Sequence, residues 1–225
     1  CLAIGDESYD ESLALEKQCK THYHSSDFAN AAKTARAALE LCESRLADRP
    51  RLISITAQWV GNCCAGQGRV DEAEQFFLKS LRVAEDASPR EDEQMGSALK
   101  NLTVLCTNNS QIAKAEPAAT RLLRHQRATL PRNDPELGDA YRLLANVRRD
   151  QAKLNEASRL SQQALAILER HAQSHPGMLA RAVLCSANIQ YDLGQFRASA
   201  AGFRRALDMY KKIYPAGHKE VAFAY

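Results

Sequence analysis

The sequence predicts an all-helical protein made of one repeated helix–turn–helix unit. Three observations carry that reading. The first is composition. Ala, Leu, Arg, Glu, Gln and Lys dominate, and these are the best helix formers. The 225 residues include only 10 Gly and 7 Pro, and Val, Ile and Thr never alternate with the period of two that marks a strand. The second is self-similarity: shifted by 42 positions, the sequence falls onto itself. The third is the placement of proline, because six of the seven stand at the joints between units, at Pro50, Pro89, Pro131, Pro135, Pro176 and Pro215. Proline there ends one helix and separates it from the next.

Four series define the repeat without insertion or deletion. They are Leu39, Leu81, Leu123, Leu165, Leu207; Ala31, Ala73, Ala115, Ala157, Ser199; Phe28, Val70, Ile112, Leu154, Phe196; and the small residues Ser26, Gly68, Ser110, Ala152, Gly194. The five units run 12–53, 54–95, 96–137, 138–179 and 180–221, as one array over 1–225, and 222–225 opens a possible sixth unit. In each unit the small residue marks a turn between a helix A and a helix B. The fourth unit shows the logic. Tyr141, Leu144, Ala145 and Arg148 lie at the i, i+3, i+4, i+7 spacing of one helix face. A break follows at Gln151-Ala152-Lys153, and a second amphipathic stretch runs from about Asn155 to His171. Pro117 is expected early in a helix B, where a missing N–H costs least.

Two antiparallel helices approach closely only over small side chains. Ala31, Ala73, Ala115, Ala157 and Ser199 supply them on helix B, and Cys19, Gly61, Thr103, Ala145 and Ala187 on helix A. The leucine series then faces the neighbouring unit.

This order of small, apolar and alanine positions resembles the tetratricopeptide repeat (TPR). Gly68-Arg69-Val70-Asp71-Glu72-Ala73-Glu74 and Gly194-Gln195-Phe196 look like its turn and helix-B start. The 42-residue period, Ala115-Glu116-Pro117, and His175-Pro176 ahead of a helix A are similar to the kinesin-light-chain subclass. The family's late aromatic on helix A is replaced here by His22, Cys64, Cys106, Arg148 and Gln190, and its helix-B aromatic remains only as Phe77 and Phe203. The resemblance implies a right-handed α-solenoid whose helices A line a concave, protein-binding groove.

Under that resemblance, the repeat phase places three rows in the groove. They are Glu16, Gln58, Lys100, Arg142, Leu184; Lys20, Asn62, Val104, Asn146, Asn188; and Tyr23, Ala65, Thr107, Arg149, Tyr191, with Trp59 and Asn101 beside the first. Asn is a poor helix former, so its recurrence along one face is informative. An amide both donates and accepts, and can pair with the backbone of an extended peptide. The candidate peptide site is therefore Tyr23, Trp59, Asn62, Lys100, Asn101, Arg142, Asn146, Arg149, Asn188 and Tyr191. The cations among them predict an acidic or C-terminal carboxylate ligand. TPR proteins that clamp carboxylates carry Lys, Asn and Arg at comparable positions, although Val104 and Leu184 interrupt the set here. The opposing reading makes these side chains ordinary solvated or inter-helix polar groups. Trp59 is either a binding platform or a contact between units.

The leading functional reading is a non-catalytic scaffold or adaptor that needs no cofactor. Neither a glycine-rich phosphate loop nor a nucleophile elbow or zinc-protease motif is present. His22, His24 and Cys19 are close in sequence, but Cys19 falls on the packing series, so no metal is expected. His125, His171, His175 and His218 sit on or after helices B and are expected at solvated ends. Seven cysteines without a Cys-x-x-Cys, most within apolar patterns, read as buried reduced thiols. Residues 1–112 carry 12 Lys+Arg against 17 Asp+Glu, and residues 113–225 carry 18 against 10. The basic half could attract an acidic partner, but it lacks the dense run of a nucleic-acid arm. No apolar run is long enough for a membrane span, and the cytoplasm is the expected compartment. Cys1 keeps a second reading open, a lipid-anchored envelope protein whose mature chain begins there. Two more readings stay open: a regulatory region of a larger signalling protein or enzyme, and end-to-end self-association through a bare terminal repeat.

Overall fold

The structure, a computed structural model, describes residues 2–214, with side chains from Glu7 onward. Cys1, Pro215, His218 and the opening of a sixth unit at 222–225 lie outside the described residues. Among the described residues ten α-helices follow one another: α1 (Leu2–His24), α2 (Phe28–Arg45), α3 (Pro50–Gly66), α4 (Val70–Asp86), α5 (Asp92–Asn108), α6 (Ile112–Thr129), α7 (Pro135–Asp150), α8 (Leu154–Leu168), α9 (Pro176–Asp192) and α10 (Phe196–Ile213). Among the described residues no strand occurs. They fall into two compact units that divide after residue 110, the first with α1–α5 and the second with α6–α10. Within each unit every helix packs on the one before it and the one after it, and α3 also touches α5 as α7 touches α9. The helix-A-against-next-helix-A contact is what aligns the candidate rows.

All five residues of the small turn series have positive φ: Ser26 61°, Gly68 74°, Ser110 57°, Ala152 59° and Gly194 74°. The left-handed residue closes helix A. After it the N–H of Asp27, Arg69, Lys153 and Gln195 donates five residues back, to His22, Cys64, Arg148 and Gln190, at 2.8–2.9 Å. This is the Schellman closure, which satisfies carbonyls that the helix end leaves open. The series is small because a side chain at that φ is crowded, at about 1–2 kcal/mol for an L-residue. Ala152→Gly is therefore expected to raise stability by about 1 kcal/mol. Gly68→Ala, whose Cβ would meet nothing within 4 Å, should lose about as much through the backbone alone. Urea midpoints of the two variants check both signs.

Proline opens α3, α7 and α9 at Pro50, Pro135 and Pro176, where its fixed φ suits the first turn. Asp27 and Asp134 cap α2 and α7, accepting from the N–H of Asn30 and Glu136. Hydrogen bonds from Asn30, then the neighbouring His22, hold the Asp27 carboxyl below its ordinary range. Pro117 departs from expectation. It is the sixth residue of α6, inside the helix, so the bond its N–H would make to Ala113 is missing. Helix α1 also begins well before the first repeat, at Leu2, because the leading residues contain no proline that would stop it.

The packing series are buried as their sizes require. Ala31, Ala73, Ala115 and Ala157 are wholly buried, as are Cys19, Thr103, Ala145 and Ala187. Gly61 is needed by its neighbour: a Cβ there would lie 2.5 Å from Cε1 of Phe77 on α4. Leu165 and Leu207 pack against a cluster built on Leu168, Leu179, Val183 and Tyr210. All six described cysteines are free and buried. The Cys19 and Cys63 sulfurs are 4.0 Å apart, and burial pushes the Cys185 thiol up to about 11. A thiol reagent such as dithionitrobenzoate should therefore release these six only on unfolding, and rapid titration of more than one thiol per native chain would contradict that.

Candidate functional site

The candidate residues separate into two sets, one in each unit. In the first unit the C-terminal halves of α3 and α5, with the end of α1, enclose a cleft of about 400 Å³. Tyr23, Asn62 and Asn101 line it together with Val104, Asn108 and Asn109. Three candidate residues from three successive helices A thus meet at one place. Asn108 and Asn109 were not among the candidates. They lie at the C-terminal end of α5, where Asn reads as a helix stop, and the Asn109 amide indeed donates to the Leu105 carbonyl at 2.8 Å. Burial is the main cause that pushes the Tyr23 phenol up, so it stays protonated as a donor.

Trp59 does not line this cleft. Its ring meets Tyr23 edge-on at 5.7 Å, and Lys20 lies 5.6 Å from its centroid. It joins α3 to α1, the inter-unit role. Tyr23 also packs edge-on against Phe28 at 5.3 Å, which fixes the cleft's aromatic wall. Lys100 is half-buried.

The first row is not an exposed row. Gln58 is buried within a polar network instead. Its amide donates to Ser80 Oγ at 3.0 Å and to Gln94 at 3.4 Å, and its carbonyl accepts from Ser97 at 2.7 Å and from Asn101 at 3.3 Å. One Asn101 donor is therefore engaged in holding Gln58, and the rest of its amide faces the cleft. Consecutive helices A lie close enough here for a first-row side chain to reach its neighbour, and that contact closes the row.

Arg142, in the second unit, is corrected as well. It is only 9% exposed, and its Nε donates to Asp139 Oδ1 at 2.7 Å. Burial works against the guanidinium charge, but the Asp139 carboxylate outweighs it, and the net effect holds Arg142 above its ordinary value. Arg149 is half-buried and paired with Asp150 at 3.0 Å and Asp192 at 3.7 Å. Asn146 and Asn188 are half-buried. Tyr191 is 58% exposed and meets Phe196, 63% exposed, edge-on at 5.5 Å. The two arginines expected to attract an anion are thus engaged by the protein's own carboxylates.

Among the described residues no group of three or more His, Cys, Asp or Glu is arranged to hold a metal ion, and no helix is long and apolar enough to cross a membrane. His171 Nε2 donates to the Asn133 carbonyl, 2.7 Å away.

Helix hairpins of this length, closed by a left-handed residue and packed through alanine, define a class: the chain has the tetratricopeptide-repeat fold. Solved structures agree. BtubC (BKLC) from P. vanneervenii is similar with a TM-score of 0.71 and 17% identity, covering 96% of each chain. The nearly identical TPR-like repeats of a Podosopora anserina kinesin light chain, in a singly substituted form, give 0.72 and 14% over 90% of this chain and 97% of that one. A Rap protein complexed with Competence and Sporulation Factor gives 0.69 and 14%, over 89% of this chain and 54% of that one. No protein-family profile and no curated protein matches the sequence.

Proposed function

We propose that this chain is a non-catalytic protein-interaction module, and that its first unit holds an extended segment of a partner protein in the amide-lined cleft. The observation that supports this is the convergence of Asn62, Asn101, Asn108 and Asn109 beside Tyr23 and Val104 in one cleft. Amides satisfy the alternating N–H and C=O of an extended backbone, and the aromatic wall takes an apolar side chain. The neighbouring Rap structure with its bound factor shows one protein of this fold in complex, which is in keeping with this reading. Its charge preference is weaker than the sequence implies, since Arg142 and Arg149 are occupied internally.

A peptide array probed with the labelled protein tests it. Bound peptides should lose affinity at least tenfold with Asn62→Ala/Asn101→Ala. Unchanged binding would remove the site from the first unit. Self-association is a second reading, favoured by the exposed Tyr191–Phe196 pair. Sedimentation of Phe196→Glu against the parent chain, over a range of concentrations, tests that separately.

A further inference from the structure

Successive helices B in this chain are joined by a recurring ion pair. Glu43 of α2 pairs with Lys79 of α4. Glu169, in the short 3-10 turn after α8, accepts from Arg205 of α10 at 3.1 and 3.2 Å. Both pairs span 36 residues, and the two glutamates stand three repeat periods apart. Glu85 and Arg121 occupy the equivalent sequence positions one period after Glu43 and Lys79. At the remaining place the pattern is broken: Arg127 stands where the first, second and fourth repeats have Glu, and Gln163 where the second, third and fifth have Lys or Arg. A base has replaced the acid, and an amide has replaced the base.

The consequence is visible in the second unit. Among the described residues neither Arg127 nor Gln163 makes a side-chain hydrogen bond or ion pair, nor does Arg132. All three line one cleft of about 430 Å³ with Tyr141, Leu137 and Ile167. No Asp or Glu lines it. Leu137 and Ile167 are buried and provide an apolar floor, while Arg127 and Arg132 are exposed at it. The loop that carries Arg132 is held in place, because Arg170 donates to Asn133 Oδ1 at 2.8 Å and the His171 ring contacts the Asn133 carbonyl. Arg132 is therefore presented by an anchored backbone.

We infer that this cleft is a docking site for an acidic peptide segment, separate from the amide-lined cleft of the first unit and independent of it. A carboxylate of the partner takes the place of the glutamate that the first, second and fourth repeats supply. A guanidinium receives a carboxylate through two parallel N–H bonds, and the Gln163 amide is a further donor. An apolar side chain next to that carboxylate enters over Leu137 and Ile167. Nucleic acid is the poorer fit, since it calls for a track of cations along a phosphate backbone or exposed rings for stacking. Here two arginines flank an apolar pocket, beside a half-buried Tyr141.

Fluorescence anisotropy of the full chain tests this, with a labelled dodecapeptide of repeating Glu-Glu-Leu and its Gln-Gln-Leu counterpart as probes. The acidic peptide should bind at least tenfold more tightly than the amide one. Arg127→Glu/Gln163→Lys rebuilds the internal pair, so it should lower that affinity at least tenfold while keeping the melting temperature of the parent or raising it. Arg132→Ala should weaken binding in a chain with the same melting temperature, and Asn62→Ala/Asn101→Ala should leave it unchanged. Equal affinity for the two peptides would overturn the inference, and so would full affinity in the rebuilt variant. Tighter binding of poly-uridylate, lost in the same rebuilt variant, would overturn it in favour of nucleic acid.

Discussion

Asp139→Ala is expected to destabilise the chain by about 3–5 kcal/mol, the range for removing one partner of a buried ion pair. Asp139 is 1% exposed and Arg142 is 9% exposed, three residues on along α7. Without the carboxylate the guanidinium stays in the interior with no counter-charge, and its burial then works wholly against it. The urea midpoint should fall with the slope unchanged. The double variant Asp139→Leu/Arg142→Leu should recover most of the loss, because apolar replacements of a buried pair are often neutral or stabilising. A loss below about 1 kcal/mol in Asp139→Ala would mean that water reaches the pair. This bears on function too. Arg142 is structural, so Arg142→Ala would weaken any ligand by loosening α7, and it is a poor probe of a groove.

Phe77→Ala is expected to cost about 3–5 kcal/mol, the range for emptying a buried aromatic site. Phe77 is 2% exposed, and its ring covers Gly61 so closely that no Cβ fits beneath it. The reciprocal change, Gly61→Ala, should cost about 1–3 kcal/mol by overpacking. In a Phe77→Leu background the same Gly61→Ala should cost less, since the ring edge that it strikes is gone. A double-mutant cycle in urea measures that coupling. Simple additivity of the two changes would show that the ring moves aside freely. Phe77 also lines the amide cleft, so its loss should reduce peptide binding along with stability.

The fold was legible because its causes are local and repeated. Ala31 through Ser199 had to be small wherever two helices cross, and that constraint recurs every 42 residues. The turn series was legible for the same reason, and its left-handed φ values at Ser26, Gly68, Ser110, Ala152 and Gly194 explain its size limit. Pro117 was not, because a proline near a helix start and one a turn and a half inside look alike when the boundary is uncertain.

The candidate site was legible only in part. Asn62, Asn101 and Tyr23 do share a cleft. Arg142 and Gln58 occupy a helical phase that predicts a groove-facing, solvated position, yet they are buried. Periodicity tells which face of a helix a residue is on, but not how near the next helix comes to that face at a given height. Separation between neighbouring helices A closes the first row and leaves the later turns open. Nor does composition reveal which charges are already paired. Asp139 and Asp192 engage two arginines that would otherwise meet an anion, and the unpaired Arg127 emerges only once its counterparts Glu43 and Glu169 are seen in their pairs. Short-range order, namely helix, turn and repeat, follows from residue type and spacing, because each depends on contacts a few positions apart. Exposure, and pairings such as Glu43–Lys79, Arg149–Asp192 and Gln58–Asn101, depend on residues 36 to 43 positions away, brought together by packing, and there the arrangement of the helices had the deciding part.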